Sequence, residues 1–361
     1  KQFLRMFYSR GNGVQGMVPK YCLLFGDGTY DNRDRMGHGN NLIPVFESYE
    51  SLSITTTYAT DDYYAILSDG SSMLNTDLLN IAIGRLPVST VEQANAMVQK
   101  IKNYTVQQSN DSDQATCSNG ESASVLRDWR NLVTMISDDE DNNAYFTDIE
   151  IMAGKVKVTH PEINLYKIHS DAYGQESTAV GERIEGAFQA IKQQVDKGSL
   201  LVNYIGHGGE SGWAHEQILT VPTINDWSNY QRLPVFMTAT CEFSRFDDHD
   251  RTSAGEYVIL NPDGGGICLF TTTRLVYATP NEWLNRYFYD TVFDKINDLP
   301  QRLGDIYKGT KNKFALNSAD PNFRKFTILG EPALKFSDPE IKISADSIKG
   351  ISISVFNVTK K

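Results

Sequence analysis

The chain has 361 residues, 40% of them hydrophobic, enough to bury a sizeable core shared between two subdomains. A net charge of -11 and an isoelectric point of about 5.1 exclude nonspecific nucleic-acid binding. No apolar run reaches the ~18 residues of a membrane-spanning helix, no signal peptide opens the chain, and the cysteines lack the CxxC spacing of a metal site.

In chain order the pattern alternates strand and helix, which predicts a mostly parallel sheet with helices on its faces. Tyr21–Phe25 reads as a strand running into Gly26-Asp27-Gly28-Thr29-Tyr30-Asp31, and Asn80–Ile83 as a second, ending at Gly84-Arg85-Leu86-Pro87-Val88. Thr90 is placed to cap an amphipathic helix with Val91, Ala94, Met97, Val98 and Ile101 on one face. Residues 1–110 therefore form a smaller N-terminal α/β subdomain, and the polar stretch 111–124 a connection. A larger α/β subdomain, 125–337, opens with the strand Leu132–Ile136, which ends in Ser137-Asp138-Asp139-Glu140-Asp141. A helix around Tyr145–Val156, a strand Asn164–Ile168 and a helix from about Val180 to Val195 follow. Later come a strand Gly266–Thr271, helices around Glu282–Ile296 and Leu303–Phe314, and a strand-like run from Phe326 to Leu334. Residues 338–361 alternate like the first strands of a β-sandwich cut short, and the start at Lys1 without a methionine reads as the edge of a fragment of a longer protein.

Two apolar runs between these elements each end in a reactive side chain. Ser199–Ile205 leads into Gly206-His207-Gly208-Gly209, and Leu233–Ala239 into Thr240-Cys241. If the strands are neighbours, His207 and Cys241 stand side by side beyond the strands' carboxyl ends, where open α/β sheets bind ligands. A thiol becomes a strong nucleophile when an imidazole takes its proton, so the pair points to covalent catalysis. The N–H groups of Gly208 and Cys241 are candidate donors to a developing oxyanion. The acidic run 138–141 is a source for a third group that orients the imidazole. Residue pattern alone leaves open a structural histidine and a core cysteine, with His215, His249 and His38 as competing histidines. Cys22 and Cys268, inside apolar runs, read as buried and inert.

These two blocks resemble those around the dyad of the caspase–legumain–gingipain clan of cysteine peptidases. The wider chain, from about residue 18 to 336, resembles the gingipain family. The match rests on Gly26-Asp27-Gly28-x-Tyr30-Asp31, Thr60-Asp61-Asp62-Tyr63-Tyr64, Ile83-Gly84-Arg85-Leu86-Pro87-Val88 and Leu329-Gly330-Glu331-Pro332. Within the family, Thr240-Cys241-Glu242-Phe243-Ser244-Arg245-Phe246-Asp247-Asp248 and Ser253-Ala254-Gly255-Glu256 look like the PorU-type sortases of the type IX secretion system.

The resemblance implies a caspase-like fold, Cys241 as nucleophile, His207 as general base and Asp139 as orienting acid, with Asp138 one register away. It also implies a pocket for the residue before the cut bond, built from Asp148 and Tyr277, while Trp213 shapes the cleft or packs in the core. Asp148 alternatively caps the helix that follows. No cofactor is needed for catalysis. Structural calcium is implied, with the loops Asp27–Asp34 and Asp138–Asp141 as candidate sites. The implied partners are exported proteins with a C-terminal signal domain, a lipopolysaccharide acceptor and other outer-membrane secretion components, and the implied place is the outer-membrane surface. A hydrolysing endopeptidase and an inactive scaffold are the alternative readings.

Overall fold

The computed structural model describes all residues except 12–13, 15, 51, 110–127, 180, 298, 337–340, 350–351 and 361. The polar connection expected at 111–124, and Cys117 within it, lie outside the described residues.

Eight strands share one sheet: β1 (Tyr21–Phe25), β2 (Ala82–Leu86), β3 (Leu132–Ser137), β4 (Asn164–His169), β5 (Leu201–Ile205), β6 (Val235–Ala239), β7 (Cys268–Thr272) and β8 (Phe326–Gly330). Their order is β1-β2-β8-β7-β6-β5-β3-β4. All pairings are parallel except β7 with β8, so β3 to β7 end on one rim while β1, β2 and β8 run the other way. The strands of the N-terminal part join the rest through a single register pair, Arg85 of β2 against Leu329 of β8.

The flanking helices are α1 (Val91–Ser109), α2 (Ala144–Thr159), α3 (Glu185–Lys197), α4 (Ala254–Leu260), α5 (Ala278–Tyr289) and α6 (Leu303–Asn317). Side chains alternate along each strand, so one sequence run feeds both faces of the sheet. Val133, Met135, Leu201, Val235, Met237 and Phe270 pack with α2, α5 and α6. Ile136, Val202, Tyr204, Phe236 and Leu269 pack with α1, α3 and α4 on the other face. β5 and β6 are buried along their whole length, which makes their carboxyl ends a rigid platform.

Side-chain ion pairs reinforce the narrow β2–β8 seam. Arg85 is bidentate to Asp61, at 2.8 and 2.7 Å, and both are buried. Asp62 meets Arg324 and Lys311 at 3.0 Å each and accepts the Tyr307 hydroxyl at 2.8 Å. Arg274 clasps Asp247 at 2.6 and 2.5 Å and reaches Glu47 at 3.3 Å.

Several boundaries differ from the sequence expectation. β2 continues through Gly84 to Leu86, because a Cβ at Gly84 would lie 2.4 Å from the Gly330 carbonyl and the bare glycine lets the strands touch. The helix expected at Glu282–Ile296 begins at Ala278 and ends at Tyr289, with Pro280 accommodated in its first turn. The helix expected from Val180 starts at Glu185, after a short hairpin of Glu176–Thr178 and Gly181–Arg183. On α1, Val91 and Val98 are exposed, while Met97 and Lys100 are buried. β8 stops at Gly330, where φ is +150° and Pro332 follows shortly. Ile341–Lys349 and Ser352–Lys360 pair as an antiparallel hairpin.

Candidate active site

β5 and β6 lie side by side with Ile205 opposite Ala239. His207 and Cys241 each stand two residues past that pair, on strands ~4.8 Å apart. Gly206 makes the first step possible: its φ is +157°, and a Cβ there would lie 2.3 Å from the Cβ of Asp138. A Cβ on Gly208 would lie 2.6 Å from Oγ1 of Thr240, so the histidine loop rests directly on the residue before the cysteine.

The backbone of His207 is tied on both sides. Its N–H donates to Oδ2 of Asp138 at 2.7 Å, and its carbonyl accepts the Tyr204 hydroxyl at 2.6 Å and the Ala214 N–H at 2.9 Å. The ring is held by one nitrogen. Nε2 lies 3.2 Å from Oδ2 of Asp141, 3.3 Å from Oε2 of Glu140 and 3.4 Å from the Tyr145 hydroxyl. Tyr145 donates its own proton to Asp141 at 2.6 Å, so the network assigns a donating Nε2–H to the imidazole. The lone pair then sits on Nδ1, which has no hydrogen-bond partner among the described residues. The Tyr145 hydrogen bond, helped by the charge of His207, holds Asp141 below the usual carboxylate range. His215, expected as a competitor, instead stacks on the His207 ring at 5.4 Å and hydrogen-bonds Glu140 at 3.0 Å. His249 packs against Tyr30 and His38.

The expected orienting acid, Asp139, makes no contact with the imidazole among the described residues. Glu140 and Asp141 stand there instead. The cause is backbone geometry: Asp141, Asn142 and Asn143 are consecutive left-handed residues, with φ of +58°, +53° and +64°. Asp and Asn tolerate that conformation, and three in a row curl the loop back over His207. Asp138, the alternative, binds the backbone of the histidine and not its ring.

Cys241 is half-buried. Its thiol faces the Val276 carbonyl at 3.7 Å and accepts the Val276 N–H at 3.5 Å. Burial pushes the thiol above its ordinary value of 9.0, against the opposing Val276 hydrogen bond. The resting thiol is thus neutral at physiological pH and needs a base at the moment of attack. The Cys241 N–H has no acceptor among the described residues, while the next N–H, of Glu242, bonds the Arg274 carbonyl at 3.2 Å. Of the other cysteines, Cys268 is buried, as its apolar run implied, and Cys22 is only half-buried.

Tyr277 follows Val276 at the start of α5 and is 51% exposed beside the thiol. Asp148 lies one turn into α2, facing Glu282 one turn into α5. Burial first, then Glu282, pushes its carboxyl up to about 7. Glu282 is in turn paired with Arg286. Trp213 is fully buried, stacked on Tyr204 at 4.4 Å, and bounds a cleft of about 790 Å³ beside the histidine loop. Gly208, Gly209, His215, Arg183 and Lys192 also line that cleft.

In the Asp27–Asp34 loop the carboxylates are consumed locally: Asp27 accepts the N–H of Gly28, Asp31 that of Met36 and Asp34 that of Gly39, each at 2.8 Å. Among the described residues, one group of three acidic, thiol or imidazole ligands converges, and it comprises Asp138, Asp139 and Glu216. Glu216 escaped the sequence reading because it lies nine residues beyond His207 with no motif around it.

A half-buried thiol and a carboxylate-held imidazole at adjacent strand ends of a mostly parallel sheet is the arrangement of a cysteine peptidase on a caspase-like fold. The sequence profile of peptidase family C25, the gingipain family, matches residues 1–337, and the chain belongs to that family. Among solved structures it is similar to the Arg-specific cysteine proteinase gingipain R, RgpB (TM-score 0.67, 14% identity, covering 95% of this chain and 71% of that one). The complex of Porphyromonas gingivalis RgpB pro- and mature domains gives a TM-score of 0.68 at 13% identity, covering 95% and 72%. The latent PorU dimer from Porphyromonas gingivalis gives 0.41 at 16% identity, covering 95% of this chain and 26% of that one. No curated protein matches the chain significantly.

Proposed function

We propose that this chain is the catalytic part of a sortase-type cysteine transpeptidase. It removes the C-terminal signal domain of cargo exported by the type IX system and joins the new carboxyl end to an amine of an anionic lipopolysaccharide. The reaction belongs at the outer-membrane surface, with other secretion components as partners. Nδ1 of His207 takes the Cys241 thiol proton as sulfur attacks the peptide carbonyl, and the N–H groups of Gly208 and Cys241 receive the oxyanion. The C–N bond breaks, the imidazolium proton passes to the leaving amine, and a thioester remains. The acceptor amine then attacks the thioester, gives its proton to His207, and expels the thiolate as the new amide forms. Glu140 and Asp141 keep the imidazole in the Nε2–H form throughout.

The observation that carries this reading over simple basic-residue cleavage is the state of Asp148. Its carboxyl, pushed up to about 7 by burial and then by Glu282, is about half protonated at neutral pH, and Arg286 already pairs with Glu282. Asp148 therefore offers a basic side chain a weaker partner than a fully ionised carboxylate would, which favours a non-basic residue before the cut bond. The test is incubation with a signal-bearing cargo and an amine acceptor, followed by mass spectrometry of the new carboxyl end. The proposal expects an adduct of cargo and acceptor. Hydrolysed ends alone, at every acceptor concentration, would leave only the endopeptidase reading, and processing that persists in Cys241→Ala would leave only the scaffold.

A further inference from the structure

We propose that the cleft beside the His207 loop is the acceptor subsite, where Arg183 and Lys192 hold an anionic oxygen group, phosphate or carboxylate, carried by the amine that resolves the acyl-enzyme. The inference rests on the transpeptidase reading and adds to it the residues that select the acceptor.

The two faces of the sheet divide the site. Val276, beside the thiol, packs on the face covered by α2 and α5, the helices that carry Asp148 and Glu282. The cleft lies on the other face, lined by Phe188 and Lys192 of α3 and by Trp213 and Leu219 from the core beneath. Cys241 and His207 stand between the two, just past the ends of β6 and β5. An acyl group seated against Asp148 and Tyr277 therefore leaves the cleft to whatever follows the cut bond. The departing and the incoming amine meet the same carbonyl carbon and exchange a proton with the same Nδ1 of His207. The acceptor thus enters where the signal domain left.

The cleft's volume of about 790 Å³ is that of a small-molecule site. Next to His207 its floor is backbone: Gly208, Gly209 and Gly212 line it, and a Cβ at Gly209 would meet nothing within 4 Å. Both cations on its wall are loosely paired. Arg183 reaches Glu185 only at 3.9 Å, and its Nε is buried without a hydrogen-bond partner. Lys192 reaches Asp226 at 3.4 Å. Asp226 is the only carboxylate lining the cleft among the described residues, and its side chain, 67% exposed, can turn to water. Phe188 lies 5.2 Å from the Arg183 guanidinium and steadies its plane. His215 also lines the cleft but is engaged with Glu140 at 3.0 Å. A guanidinium fork beside an ammonium suits phosphate or carboxylate oxygens. On a chain of net charge -11, such a patch lets an anionic acceptor approach.

In the transfer itself the acceptor nitrogen bonds the acyl carbon, the carbon–sulfur bond breaks, and the amine proton passes to Nδ1 of His207. The anion makes and breaks no bond and only positions the amine.

Ethanolamine and phosphoethanolamine differ only in the phosphate and so test the subsite. Titration calorimetry of phosphoethanolamine into the folded chain at pH 8 should show binding that weakens at least about tenfold in Arg183→Gln combined with Lys192→Gln. Transfer from a signal-bearing cargo is read by mass spectrometry as the ratio of amide adduct to hydrolysed end. At equal free-amine concentration this ratio should favour phosphoethanolamine by at least about tenfold, and the preference should shrink toward parity in the double variant. Each ratio is internal to one protein, so a change in overall rate does not enter it. Should the double variant fail to fold, Lys192→Gln carries both measurements. Equal adduct yields from the two amines in the parent, or binding untouched by the substitutions, overturn this proposal and leave the transpeptidase reading in place. Hydrolysis alone with both amines overturns the transpeptidase reading and the acceptor subsite with it.

Discussion

The imidazole of His207 is gripped at Nε2 by two carboxylates and a tyrosine, and this fixes which nitrogen is left for the thiol. Orienting groups of this kind matter through the tautomer they impose, so replacing both with amides should misplace the proton while sparing the fold. Glu140→Gln combined with Asp141→Asn is expected to lower kcat/KM by roughly 10²-fold or more, with circular dichroism unchanged. The thiol has its own signature. Because burial raises Cys241 above its ordinary value of 9.0, its reactive thiolate is still increasing above pH 9. Alkylation at Cys241 measured across pH 7 to 10.5 should keep accelerating over the whole range; a plateau below pH 8 would mean a preformed ion pair instead. The two strand ends that carry His207 and Cys241 were legible from their apolar runs, whereas their reading as a dyad came from the family resemblance, because residue pattern alone left a structural histidine and a core cysteine open. Asp139 was misplaced because counting from a strand end assumes an ordinary loop, and nothing in Asp-Asp-Glu-Asp-Asn-Asn announces three successive left-handed residues.

At the level of elements, the β2–β8 seam has one register pair, so side chains must supply what backbone pairing does not. Asp62 does this from a short helical turn, meeting Arg324, Lys311 and Tyr307 at once. Both cations are almost fully buried, and removing their anion strands them. Asp62→Ala should therefore destabilise by about 3–5 kcal/mol in denaturant unfolding, far more than loss of a surface pair. The strands themselves were legible from alternation and length, as was the capping role of Thr90, whose hydroxyl accepts the Gln93 N–H at 3.2 Å. Helix ends were less so. The helix expected at Glu282 starts four residues earlier, and Pro280 sits in the first turn of α5, where its missing N–H is no loss.

Over the whole molecule, an acidic chain of net charge -11 gathers carboxylates where the Phe46–Glu47 strand meets the loop after Cys241, around Arg274. Glu47 is the clearest case: burial, and then repulsion from Asp247, push it up to about 8 despite Arg274 nearby. The native state keeps this proton up to about pH 8, whereas the unfolded chain releases it near 4.5, so native stability is lost as pH rises between those values. Glu47→Gln should gain Tm over the parent progressively across that window, with little difference at pH 4 and the full difference above pH 8. Differential scanning fluorimetry at steps of half a pH unit reads this directly. None of it was visible beforehand, because Glu47 and Asp247 are 200 positions apart in sequence and meet only in the fold, around Arg274. The fold class, by contrast, was legible throughout, since the strand–helix alternation from Leu132 onward admits little else.

The central claim is that His207 activates Cys241, and labelling by a thiol-reactive peptide probe tests it most directly. The second-order rate at pH 7.5 should fall by at least about 10²-fold in His207→Ala, while the thiol content of the unfolded proteins stays equal. Equal labelling rates in the parent and in His207→Ala would contradict the account.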